Sequence, residues 1–299
     1  MSEPVDDAGA AGSATVRRML VGARLRRMRE ARGISREDAG YVIRASESKM
    51  SRLELGRVSF KERDVDDLLV HYGVTDAVQR ESMLALVREA NQSGWWRAYE
   101  DVLPGWFNNY VGLEEAAAGI RCYEIQFIPG LLQTHDYARA VISTAIPPPT
   151  PEELERAVAL RMARQRILDR TRPPHLWAIL DEAALRRPVG DDEVTKDQLH
   201  HLVELSGSPH VAIQVLPLRY GAHAAAGGAF SVLRFADADL PDVVYVEQLA
   251  SALYLDKVDQ VDRYTEVMNR LSVESLTPAE SRDLLIGILE GIDGTTRSG

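Results

Sequence analysis

Between Ser46 and Arg57 the chain carries a dense set of groups that can recognise a polyanion. Glu47, Ser48, Ser51 and Arg52 fall at i, i+1, i+4 and i+5, which is one face of a helix, and Lys49 stands on its shoulder. An arginine fork can donate to both O6 and N7 of guanine, and a carboxylate can accept from the cytosine amino group, so these side chains predict a face that reads base edges of double-stranded DNA. Ser46, just ahead of that helix with the free N–H groups of its first turn, suits a phosphate. Arg36 and Arg57 lie on either side of the set and suit the two flanking phosphates.

Such a face works only if short helices hold it rigidly. Leu20, Val21, Leu25 and Met28 recur at helical spacing and predict a first helix that Gly33 ends. Ser35 predicts the start of a second, with Asp38 as the partner in a variant capping box, and Arg44-Ala45 as the turn that follows it. Ser46 caps the third helix and Gly56 stops it. Gly40 falls where the second and third helices must approach closely, and Ala39, Val42, Met50 and Leu53 are placed to lock the pair from beneath. Two further helices, about 61–72 and 76–90, complete an all-helical head.

Net charge is -10, which taken alone argues against a nucleic-acid partner. Its distribution reverses the argument. Residues 15–60 hold twelve basic and five acidic side chains, a balance of +7, so the remainder carries -17. The single cysteine, Cys122, cannot form an internal disulfide, and no Cys/His cluster has zinc-site spacing. Neither a metal nor a cofactor is expected. The acidic start lacks the form of a signal peptide, and no run approaches the roughly 18 apolar residues of a membrane span. A cytoplasmic location with no membrane partner is the expectation.

Beyond residue 92 the texture changes. Domains are expected at 1–14 (disordered tail), 15–92 (helix-turn-helix), 93–292 (an α+β regulatory or partner-binding domain) and 293–299 (loose C-terminus). In the third, helices are expected from Leu113 through Cys122, over 137–142, 151–169, 194–206, 258–271 and 278–289. Strands are expected at 176–180, 211–216, 230–235, 243–246 and 253–255. The fold class is thus a mainly α head followed by an α+β body with a small sheet.

Other groupings admit two readings each. Trp95, Trp96, Trp106 and Phe107 could form a ligand cage or partner surface, or simply core. His200-His201 points its rings about 100° apart on a helix, a poor chelate for one metal. Asp181-Glu182 could do acid–base work or serve as a helix N-terminal charge pair. The loop Gly221 to Gly228 could be a lid over a pocket containing His223, or an ordinary connection. No phosphate-binding Gly loop, serine elbow or Cys/His nucleophile pair occurs, so an enzyme is not expected.

The segments Gly33 to Ala39, Ala45 to Met50 and Ser51 to Arg57 resemble the lambda-repressor/Cro-like, or XRE-type, helix-turn-helix family, over about residues 18–75. The resemblance implies that Arg36 holds the phosphate-clamping position, usually Gln, and that Glu47, Ser48 and Arg52 hold base-reading positions. Arg44 departs from the family, which prefers Gly in the turn. Tyr110 to Ala117, Ile128 to Thr134, Tyr137-Ala138-Arg139, Arg161 to Leu168, Val215-Leu216-Pro217 and Gly221-Ala222-His223 resemble blocks of an actinobacterial, antitoxin-like regulator family. Its members often lie beside a gene for a small partner protein. Together these imply a sequence-specific transcriptional regulator, a homodimer on a two-half-site operator, with a small partner protein as a possible control. The alternatives are an antitoxin module whose DNA binding is only autoregulatory, and a ligand-sensing or enzymatic body.

Overall fold

The computed structural model describes residues 14–92, 94–237 and 240–296, with side chains to Ile292. The expected tail lies outside this range, except that Ala14 already belongs to a helix. Residues 297–299 also lie outside it. The expected loose segment from 293 is helical through Thr296.

Two compact units form, and they do not follow a single cut in the sequence. The first holds the described residues up to Ala98, plus Asn108–Ala116 and Phe235–Leu240; the second holds Tyr99–Phe107, Ala117–Arg234 and the chain from Pro241.

The first unit is built on five helices: α1 (Ala14–Ala31), α2 (Arg36–Val42), α3 (Glu47–Glu54), α4 (Glu62–His71) and α5 (Ala77–Ala90). The apolar positions of the sequence become one core. Val21 and Leu25 of α1 meet Ala39, Ile43, Met50, Leu53, Val65, Leu68, Leu69, Met83 and Val87. The lock beneath α2 is Ile43 rather than Val42, which is only partly buried. Of the aromatic run, Trp96 and Tyr110 are buried in this unit, Trp96 donating to Asn108 Oδ1 at 2.6 Å, while Trp95 is exposed and donates to Glu115. α6 (Phe107–Ala116) contributes all but its first residue here.

The second unit contains β1 (Gly119–Glu124), α7 (His135–Ile142), α8 (Pro151–Gln165), β2 (His175–Asp181), α9 (Glu182–Arg186), α10 (Asp192–Leu205), β3 (Val211–Leu216), β4 (Phe230–Arg234), β5 (Val243–Glu247), β6 (Ala252–Leu255), α11 (Val258–Glu274) and α12 (Pro278–Thr296). The sheet runs β3-β2-β1-β4-β5-β6, parallel on the β3-β2-β1 side and antiparallel beyond. The α+β expectation therefore holds. The helix expected from Leu113 through Cys122 does not: it stops at Ala116, and Gly119–Glu124 is the central strand. Ile120, Cys122 and Tyr123 are buried because β1 is flanked by β2 and β4, and so short a segment carries too little periodicity to tell strand from helix. The helix expected over 151–169 ends at Gln165, and a tighter 3-10 turn takes Arg166–Asp169.

Tyr123, Ile179, Phe230, Val232, Val244 and Val246 share one face of the sheet and pack with Val261, Met268 and Leu271 of α11. The outer edge of β3 is closed: Val215 N–H donates to Ser281 Oγ and Leu276 N–H donates to the Val215 carbonyl, both at 2.9 Å. The loop after β1 is clamped by glutamines. Gln133 donates to Ile128 O, Gln165 donates to Gly130 O and Gln133 O, and Gln198 donates to Leu132 O while accepting from Thr134 N–H. The block Ile128 to Thr134 is thus a backbone loop whose polar groups are satisfied by side chains from two helices.

Glu124, at the end of β1, has its carboxyl pushed up to about 8 by burial and by the nearby Glu247 carboxylate, against the opposing pull of Arg161. The folded state therefore holds this proton more tightly than the unfolded chain. The resulting stabilisation is complete below the ordinary glutamate range and is lost as pH rises toward 8. Glu124→Gln is expected to flatten the fall in thermal stability between pH 5 and 8, and to raise the melting temperature above pH 8 by roughly 2–4 °C for each kcal/mol recovered. Calorimetry at the two ends of that range checks it; an unchanged slope would refute the assignment.

Candidate nucleic-acid interface

The groups that present α3 are set by local chemistry first. Ser35 caps α2, its hydroxyl oxygen accepting from Asp38 N–H at 3.0 Å while its own proton goes to Asp38 Oδ2 at 2.7 Å. The predicted box is therefore closed by the two side chains rather than by the backbone of Ser35. Ser46 caps α3 by accepting from Lys49 N–H at 3.2 Å. This cap occupies the oxygen and leaves the hydroxyl proton for an acceptor outside the helix. The end of α3 closes through Gly56 N–H to Leu53 O and Arg57 N–H to Arg52 O.

The turn between the helices is tight. Ala45 N–H donates to Gly40 O at 2.8 Å, and a Cβ built on Gly40 would stand 2.5 Å from Ala45 O and 3.3 Å from Met50 Cγ. Arg44 bridges the helices at φ 54°, the left-handed region that glycine fills without strain. The departure seen in the sequence thus leaves the turn geometry intact, at a conformational cost of about 1–2 kcal/mol. Gly40→Val is expected to destabilise the first unit by roughly 1–3 kcal/mol, because a backbone oxygen cannot retreat as a flexible side chain does. Denaturant unfolding that showed wild-type stability would contradict this reading of the contact.

A buried ion network fastens α3 from behind. The Glu54 side chain is fully buried. Arg29 of α1 donates to it twice, Nε to Oε1 at 2.5 Å and Nη2 to Oε2 at 3.1 Å, and Arg36 of α2 donates from Nε to Oε2 at 3.0 Å. Arg29 also donates to Ile34 O at 2.7 Å. One carboxylate therefore ties three helices, and these hydrogen bonds hold the Arg29 guanidinium above its ordinary pKa despite burial. Tyr72 lies near this pair, its hydroxyl buried and its pKa raised by desolvation and by the Glu54 charge. Gly22 permits the approach of α1, since a Cβ there would stand 2.5 Å from Glu54 O.

The eight residues singled out by sequence then sort by position. Ser46, Glu47, Ser48, Arg52 and Arg57 are exposed, and Lys49 and Ser51 are half-buried at the edge of the same helix. Among the described residues, no ion pair or side-chain hydrogen bond engages Glu47, Ser48, Lys49, Ser51 or Arg52. Arg36 differs: its Nε is committed to Glu54, and its side chain is 34% exposed, so only the outer guanidinium nitrogens face outward as donors. Sequence reasoning missed Glu54 and Arg29. The signal was present, for Met50, Leu53 and Glu54 lie at i, i+3 and i+4, and a carboxylate on the buried stripe requires a cation.

Asp181, Glu182 and His223 each make side-chain hydrogen bonds within the second unit. Asp181 caps α9 by accepting from Ala183 N–H, and Glu182 accepts from Leu218 N–H and from Arg186. His223 reaches Tyr123, with Nε2 3.1 Å from the hydroxyl, which itself lies 3.3 Å from Asp181 Oδ2. Ala225 N–H donates to His223 Nδ1. Asp181 and His223 are thus brought together around a buried tyrosine, while Glu182 is engaged elsewhere. No group of three or more His, Cys, Asp or Glu among the described residues is placed to hold a metal, and none of their helices is long and apolar enough to cross a membrane.

Two family models match the chain. Residues 20–83 match the model of a helix-turn-helix domain, which supports a DNA-binding regulator. Searches of curated proteins and of solved structures found no match. Residues 107–287, more than half of the chain, match the model described as a domain of unknown function, DUF5753, and the chain belongs to that family.

Proposed function

We propose that the chain is a sequence-specific, XRE-type transcriptional regulator that acts as a homodimer, each copy placing α3 in the major groove of one half-site. The observation that carries this reading is the presentation of Glu47, Ser48 and Arg52. They lie together on the exposed face of a helix that is capped at Ser46 and fixed from behind through Glu54. Two such helices related by a two-fold axis require half-sites about one turn of DNA apart. Arg57, Ser46 and the outer nitrogens of Arg36 supply phosphate contacts, with Lys49 and Ser51 at the groove edge.

The acidic body supplies dimerisation or control by a small partner protein, the antitoxin-like arrangement. Leu249, Leu253 and Val258 support it, being apolar, close in sequence and 104%, 53% and 73% exposed. We read the chain as non-enzymatic, since Asp181 and Glu182 serve backbone caps and an ion pair.

Operator binding measured against salt tests the proposal. Arginine–phosphate contacts release counterions, so log K should fall linearly with log salt, with a slope of about -0.9 for each phosphate neutralised. A dimer with Arg36 and Arg57 of each copy on phosphates is expected to give a slope of about -3.6. Binding that ignored salt would exclude the phosphate contacts assigned here.

A further inference from the structure

The arginines of α1 divide between two sides of the helix. Gly22 and Arg29 are seven residues apart and both face α3. At about 100° per residue, Arg24 lies about 200° round the helix from Gly22, and Arg27 about 140°. These two turn toward α5 instead, where they line a cavity of about 280 Å³ together with Met28, Gln79, Ser82 and Met83. Two arginines of α1 are therefore directed away from α3.

The chemistry of the lining is convergent. Arg24 brings a guanidinium, Gln79 an amide and Ser82 a hydroxyl, and among the described residues none of these side chains has an ion pair or hydrogen bond. The neighbouring carboxylates of α5 are already taken, Glu81 by Arg88 and Glu89 by Arg17. Met28 and Met83 give an apolar, polarisable floor. Several donors with no acidic group among the lining residues suit a phosphoryl group with three oxygens, and the volume lies just below the usual range of ligand pockets.

We propose that the seam between α1 and α5 is a binding site for a small organophosphate, its phosphoryl group held by Arg24 with Gln79 and Ser82 and its organic part resting on Met28 and Met83. The site is separate from the DNA-reading face and does not depend on it. The test is a titration of the full chain, labelled with 13C at methionine methyls, with phenyl phosphate at constant ionic strength. Saturable shifts confined to the Met28 and Met83 methyls are expected. Arg24→Gln, which keeps helix propensity, should weaken binding about tenfold or more. Arg63→Gln, an equal charge change on α4, should leave it unchanged, and Gln79→Glu should abolish it. Double-stranded DNA added at saturation should leave the two shifts in place. Non-saturable shifts, equal weakening by Arg24→Gln and Arg63→Gln, or displacement by DNA would overturn the proposal, the last by giving the site to the nucleic acid.

Discussion

Glu54→Ala is expected to destabilise the first unit by about 3–5 kcal/mol, the cost of leaving a buried charge without its buried counterion. The Arg29 side chain is only 7% exposed, and in this variant its guanidinium would lose both oxygens of its buried partner, keeping Ile34 O and the half-exposed Glu30 carboxylate at 3.3 Å. Glu54→Gln should cost less, because an amide oxygen still accepts one of the bonds. Arg36→Ala should cost less again, since Arg29 continues to satisfy the carboxylate. This order separates the network from simple loss of packing, which would rank the variants by volume. Hydrogen exchange of the α1, α2 and α3 amides in the full chain measures it directly. A loss in protection under about 1 kcal/mol for Glu54→Ala would show that the network does not fasten the helices.

The second large effect is on recognition. Arg52→Ala is expected to cost about 1–3 kcal/mol of operator affinity and to relax preference at one base pair, with no loss of fold. Arg52 is exposed and makes no ion pair among the described residues, so its removal leaves nothing unsatisfied in the free protein. Arg57→Ala touches a phosphate position and should weaken all sequences alike. Competition binding against a library of single-base operator variants distinguishes the two. A uniform loss for Arg52→Ala would move it from base reading to backbone contact.

Much of the head was legible because its signals are local. Ser35 and Ser46 each sit one residue before a helix and do cap it, and a cap is chemistry between residues two or three apart. The face of α3 follows from the same local pattern. The ion network was not read, because Arg29 and Glu54 are 25 residues apart and their pairing depends on how α1 crosses α3. The same reason explains β1. Its hydrogen bonds go to His175–Leu180 and Phe230–Arg234, far along the chain, and the Ala116-Ala117-Ala118 run preceding it favours helix on propensity alone. Tyr123 escaped notice for that reason too: directly after a supposed helix, rather than inside a strand beside β2, it had no route to Asp181 or His223. Strands of the antiparallel side were found with near-correct limits, since turn residues bracket them in sequence.

The most direct measurement is selection of DNA sites from a random pool by the full chain, repeated with a variant in which Glu47, Ser48 and Arg52 are all alanine. The account predicts that the parent enriches a two-part site with one-turn spacing, and that the variant keeps salt-sensitive, non-specific binding while enriching nothing. Enrichment of the same site by the variant would contradict it, because the specificity would then reside outside the exposed face of α3.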